Sequence, residues 1–179
     1  SSNENVNLSG IVTDYDLLLK NSNNYSKNSS NYNENLNYNL FGVIKIDVNY
    51  PLQNIEDNYV HLLKPIASFR HSPNGNTDLS GKDVFLNYNS VFDLNRIGSS
   101  SQVEGGESLS LGLEYKKNND LGANVIDFRI ANVLKTDEDN NMPSKSKLNN
   151  KRSDFFGDLT FTVNENLNLN YNFSYDKDL

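Results

Sequence analysis

The chain has 179 residues, of which 36% are hydrophobic, with no cysteine, a formal charge of −7 and a mean hydropathy of −0.66. The missing cysteines exclude disulfides, thiol nucleophiles and thiolate metal sites. The acidic balance, with no Lys/Arg stripe, excludes a nucleic-acid surface. No run of about 18 apolar residues occurs, which excludes a transmembrane helix.

Low hydropathy and abundant asparagine point toward disorder. An aromatic fraction of 11% and a regular polar/apolar alternation point the other way. A β-barrel with a wet lumen reconciles the two, because half of every strand is polar by design. The chain opens Ser1-Ser2 with no export signal, so it reads as an internal fragment of an exported protein.

In chain order, the pattern predicts about eight strands with no helical period between them. The first spans Val6 to Leu19, with Tyr15, Leu17 and Leu19 on one face and Asp14 and Asp16 on the other. An Asn/Ser-rich stretch, Lys20 to Asn35, reads as a long loop. From Leu36 to Tyr50 every even position is apolar or glycine, and Phe41 and Val43 break the polar odd positions. That run is longer than the usual soluble strand of about 5–6 residues and suits a tilted membrane crossing of about 9–11. Tyr38 and Tyr50 stand near its ends, where interface aromatics belong.

Pro51 closes this second strand. The third runs from Tyr59 to Ser72, with Pro65 inside it marking an edge or a bulge. The turn Ser72-Pro73-Asn74-Gly75-Asn76 follows. A short fourth strand covers Val84 to Phe92, and glycines and serines interrupt the chain from Gly98 to Gly106. The fifth (Glu107 to Lys117) and sixth (Leu121 to Leu134) are joined by a polar turn. After the loop Lys135 to Lys151, the seventh (Phe155 to Val163) and eighth (Leu167 to Tyr175) form a hairpin. Short turns alternating with long loops is the bacterial barrel pattern. With eight strands, however, the long Lys20–Asn35 loop falls on the short-turn side. Either a strand near Gly98–Gly106 is miscounted or that loop breaks the rule.

Three segments resemble the LptD (Imp/OstA) family of lipopolysaccharide-assembly outer-membrane proteins. They are Leu62-Leu63-Lys64-Pro65-Ile66-Ala67, then Val91-Phe92-Asp93-Leu94-Asn95-Arg96 followed by Val103-Glu104-Gly105-Gly106, and Ser153-Asp154-Phe155-Phe156-Gly157. The likeness is strongest over residues 60–179. Members often carry Asp-Arg where this chain has Ser101-Gln102. The resemblance implies an all-β, antiparallel up-and-down transmembrane β-barrel, with residues 1–179 as a partial barrel domain. Such a barrel has roughly two dozen strands. It also implies lipopolysaccharide as cargo, an LptE-like lipoprotein plug, periplasmic transport-bridge components, surrounding outer-membrane lipid, and a lateral opening for insertion. The location implied is the outer membrane of a Gram-negative bacterium.

Pro65, Asn95, Arg96, Glu104, Gly105, Gly106, Ser153 and Asp154 are the motif residues to watch. Glu104 to Gly106 and Asn95-Arg96 suit an irregular, inward-folded loop or a gate contact. Lys45, Lys64 and Arg70 should point into the lumen, because a cation facing lipid at the midplane costs about 2–4 kcal/mol. They serve there as polar lining or as contacts to phosphate or plug. His61 and His71 are poor metal ligands, and no catalytic set, cofactor site or metal site is discernible. The chain reads as non-enzymatic. A porin or receptor barrel, a soluble or surface β-sheet binding protein, and an outer-membrane hydrolase are the rival readings.

Overall fold

The computed structural model describes residues 5–24, 37–56, 58–73, 78–98, 103–164 and 166–176. Nine strands form one antiparallel sheet: β1 (Asn5–Val6), β2 (Val12–Asn24), β3 (Asn37–Asn49), β4 (Leu52–Glu56), β5 (Tyr59–Ser72), β6 (Gly106–Asn119), β7 (Asn124–Lys135), β8 (Phe155–Asn164) and β9 (Leu167–Tyr175). Chain neighbours pair in a meander that stays open between β1 and β9, except that β3 and β4 both pair with β5 and not with each other. β3 and β4 lie on the same side of β5 in one continuous register, Ile44↔His71 through Glu56↔Tyr59, so the nine strands fill eight positions. The fold is the predicted all-β, up-and-down wall.

The alternation sets the faces. Leu17 and Leu19 on β2, Ile44, Ile46 and Val48 on β3, Leu109 and Leu111 on β6, and Leu159 and Phe161 on β8 are all exposed. Their neighbours Asp16, Lys45, Asp47, Ser108 and Ser110 face the opposite side. The apolar face is the outer one, and no part of the described chain packs over it. The polar face is covered near one end, so the core lies there. Leu79, Leu86, Tyr88, Val91 and Ile97 pack with Met142 and Leu148 onto Ala131, Val133 and Phe156 of the wall. A second cluster joins Phe41 and Val43 to Val103, with Leu18 and Leu94 against it. Phe41 and Val43, the two breaks in the alternation, are therefore the seats of this infolded segment.

The predicted fourth strand is not a strand. Residues 78–98 cross the inner face as irregular chain, with one helical turn, α1 (Tyr88–Val91). Asn87 and Ser90 form a reciprocal cap: Ser90 N–H donates to Asn87 Oδ1, and Asn87 N–H donates to Ser90 Oγ. That local bonding outweighs a short alternating pattern. With this strand removed, the connections alternate without exception. Residues 25–36, 73–105 and 136–154 join strands at one end, and the short turns lie at the other.

Two boundaries also differ. The predicted first strand is broken at Asn7–Ile11, where Asn7 Oδ1 accepts from the amides of Ser9 and Ile11 and Gly10 takes φ +81°. β2 then runs on to Asn24, inside the stretch read as loop, because Asn21 to Asn24 pair with Leu40 to Asn37. A ladder needs backbone groups rather than apolar side chains. The rest of that loop, the Asn74–Gly75 turn and the Ser101-Gln102 pair lie outside the described residues.

Pro65 sits in a central strand, neither at an edge nor at a bulge. Its ladder to β6 is unbroken, from Tyr59↔Asn119 to Ser72↔Gly106. Its missing N–H faces the break between β3 and β4. There the Tyr50 amide donates to the Pro65 carbonyl (3.2 Å) and receives nothing back.

Candidate functional site

The segment between β5 and β6 is tied to the wall by a buried charge cluster. Arg96 forks onto the carboxylate of Glu104, with Nε–Oε2 2.8 Å and Nη2–Oε1 2.7 Å. Arg96 also donates to Ser108 Oγ (2.7 Å) and Ser110 Oγ (3.4 Å) on β6. From β5, Arg70 donates to the main-chain oxygens of Leu94 (2.9 Å) and Glu104 (2.6 Å). Its Nη1 lies 3.9 Å from Glu104 Oε2. From β7, Lys135 Nζ stands 3.7 Å from Glu104 Oε1 and donates to Leu148 O (2.9 Å).

Glu104 is wholly buried, and Arg70 and Arg96 nearly so. Burial opposes the ionised carboxyl, but the charges of Arg96, then Arg70 and Lys135, overcome this and hold it below the ordinary carboxylate range. Breaking such a pair leaves a buried charge without a counter-ion, so the cluster is all-or-none. It can hold a loop in place. It carries no nucleophile–base pair and no substrate-sized catalytic arrangement.

Around it, wall groups receive the loop's polar atoms one by one. Lys45 Nζ donates to Phe92 O (2.9 Å), Ser110 Oγ to Val91 O (3.1 Å), and Tyr88 Oη to Glu114 (2.9 Å). Burial and the Glu114 hydrogen bond push the Tyr88 phenol upward. The Phe92 ring rests on Gly112, where a Cβ would come within 2.5 Å of it. Only a residue without a side chain permits that approach.

The predicted residues divide into groups. Arg96, Glu104 and Arg70 meet in one cluster, and Gly105 and Gly106 follow it, with Gly106 at φ +83° as β6 begins. Asn95 is half-buried beside Arg96. Ser153 and Asp154 form a separate anchor. Ser153 exchanges main-chain and side-chain bonds with Val133, and Asp154 accepts from Ser174 (3.4 Å) and approaches Lys147 (3.7 Å). Pro65 is on the outer face, away from both. Lys45 and Lys64 point inward, each already paired: Lys45 with Asp47 (2.8 Å) and Asp16 (3.2 Å), Lys64 with Glu114 (2.6 Å).

Sequence reasoning missed Lys135, Ser108 and Ser110. Their period-two spacing with the inner face was the available signal, and Lys135 was placed in the loop instead. It also kept Asp47 apart from Asp14 and Asp16, which the β2–β3 register brings together. The Lys45 ammonium already pairs with two of the three, Asp16 and Asp47. His61 bonds Tyr115 Oη (2.9 Å) and His71 approaches Glu107 (3.2 Å), on separate parts of the wall.

Below the loop the inner face carries a charge ladder. Lys64, Glu114, Arg129 and Asp158 stand directly opposite one another across β5, β6, β7 and β8. Arg129 and Asp158 are 2.8 Å apart, and Lys116 meets Asp127 at 3.3 Å in the next row. Opposite charges at facing positions fix the strand register.

No curated protein matches the chain. The family described as "LptD: LPS transport system D" matches residues 2–179. This is a family of outer-membrane β-barrel components of lipopolysaccharide transport in Gram-negative bacteria, not a family of enzymes. An apolar outer face, a charge-paired inner face and loops folded over the inner side all suit such a barrel, and the chain belongs to the LptD family.

Proposed function

We propose that residues 1–179 are a section of barrel wall in a protein that translocates lipopolysaccharide and inserts it into the outer leaflet. Supporting this is the division of each strand between an apolar face open to acyl chains and a polar face whose charges are paired internally. A lumen lined by satisfied ion pairs offers sugars hydrogen-bonding partners without a deep electrostatic trap. The three long connections share one end, which is the outer end in bacterial barrels. The infolded segments at that end narrow the lumen, and an LptE-like lipoprotein is the partner for the space below. The partners at the periplasmic end are the components that deliver the lipid.

The test is reconstitution. The intact barrel, with its lipoprotein and delivery components in proteoliposomes, should expose lipopolysaccharide to an externally added modifying enzyme. Solute flux without lipid exposure would favour the porin reading.

A further inference from the structure

Of the four arginines, three reach a carboxylate: Arg70 and Arg96 that of Glu104, and Arg129 that of Asp158. Arg152 is exposed and makes no ion pair or side-chain hydrogen bond among the described residues. It also stands on the opposite face of the wall. Arg152 bridges to Leu134 near the end of β7, and Leu134 lies directly opposite the exposed Leu109 of β6. Residues directly opposite share a face, so Arg152 is on the outer, apolar side. Its guanidinium lies 4.9 Å from the centre of the Phe155 ring.

Beside Arg152 the outer face holds an open groove of about 490 Å³, lined by Leu111, Leu113, Ile130 and Phe155. Asn132 also lines it. That residue is only 6% exposed, yet its amide makes no side-chain hydrogen bond among the described residues. The energetics of the bilayer set the height of this site. A cation facing lipid costs about 2–4 kcal/mol at the midplane but only about 0–1 near the interface. Arg152 belongs to the connection 136–154, at the end of the wall that carries the long connections. Phe155 and Tyr175 face each other in the adjoining row, as an interfacial aromatic girdle would. Arg152 is thus at headgroup level, and the groove runs from it past Asn132 to the facing pair Leu113 and Ile130.

An unpaired guanidinium at the interface, a bare amide below it and an apolar trough below that match a lipid end to end. The guanidinium fork suits a phosphate, and the trough suits an acyl chain. We propose that Arg152, Asn132 and the groove form a site for a phosphate-headed lipid of the surrounding leaflet, held as a fixed boundary lipid. Arg152 takes the phosphate, the Asn132 amide donates to an ester oxygen, and the chain lies along Leu111, Leu113 and Ile130. The lipid comes from the bilayer around the barrel and not through the lumen, so the site does not depend on the transport reading.

The test uses the intact barrel, stripped of lipid in detergent, with bound ligand counted by native mass spectrometry. The probes are phosphatidylglycerol, phosphatidylcholine and glycerol 3-phosphate. The wild type should hold phosphatidylglycerol about tenfold more tightly than phosphatidylcholine, whose own ammonium competes with Arg152 for the phosphate. Arg152→Gln should erase that preference and Arg152→Lys should reduce it. Lys145→Gln, which removes an exposed cation from the same connection, should leave it unchanged. Ile130→Trp, which fills the groove, should weaken both lipids alike. No preference in the wild type, or one that survives Arg152→Gln, overturns the proposal. Glycerol 3-phosphate binding as tightly as phosphatidylglycerol, or full lipid binding by Ile130→Trp, overturns the acyl-chain assignment. Heat-modifiable gel migration checks folding. Where Arg152→Gln does not fold, Arg152→Lys decides, and an undiminished preference there overturns the proposal.

Discussion

Glu104 is the residue on which the inner cap depends. Glu104→Gln keeps the shape but leaves Arg96, Arg70 and Lys135 around a neutral group. The cost of removing one partner from a buried cluster is about 3–5 kcal/mol. Hydrogen exchange over residues 88–98 and 103–105 should rise sharply while the β8–β9 ladder stays protected. The same residue sets a pH dependence. Its folded carboxyl titrates below the unfolded one, so its stabilisation is fully present above the unfolded value and fades as pH falls through the folded one. The groups facing it are the cations Arg96, Arg70 and Lys135. Exchange over residues 88–98 and 103–105 should therefore be flat through neutral pH and increase only in acid, below the ordinary carboxylate range. A second residue-scale prediction concerns Gly112. Gly112→Val pushes into the Phe92 ring and should unseat it, raising exchange at Phe92 while the β5–β6 pairing persists. At this scale the sequence was readable where a rule was simple. Lys45, Lys64 and Arg70 point inward because a cation in lipid is too costly. The partner of Arg70 was not readable, because Arg70 and Glu104 are 34 residues apart and meet only through the infolded loop.

Among the elements, long strands with clean alternation were legible to within a residue or two, as in β5 and β9. Residues 84–92 were not, because three or four alternating positions fit a strand and a capped turn equally. The Asn87–Ser90 pair, two residues with cap chemistry at the right spacing, was the signal that decides it. Removing that strand also resolved the misplaced long loop, so the connection pattern carried more information than the local period. Pro65 and Pro51 leave a weak point between β3, β4 and β5. Pro65→Ala restores a donor opposite Tyr50 and should stabilise the barrel by about 1 kcal/mol. The readout is a higher temperature for loss of the heat-modifiable form. An unchanged or lower temperature would mean that the Tyr50 carbonyl is already satisfied.

For the molecule as a whole, the sheet of the described residues ends in β1 and β9, each paired on one side only, and its outer face is apolar with nothing of the described chain upon it. Such an edge and such a face both recruit other chains. Expressed alone without detergent, residues 1–179 should aggregate; a monodisperse monomer would be unexpected. Fold class was legible because barrel walls repeat one simple pattern, strand after strand. The cap inside was not, because it depends on contacts between distant segments that no period announces. The most direct check is a set of single spin labels in the intact barrel in lipid, on Leu17, Ile46, Leu111 and Leu169 and on their chain neighbours Asp16, Asp47, Ser110 and Asn170. Oxygen should relax the first four and a water-soluble nickel reagent the other four, alternating residue by residue. Nickel access at the leucines and isoleucine, or no difference between the two sets, would contradict a wall with lipid on one side and water on the other.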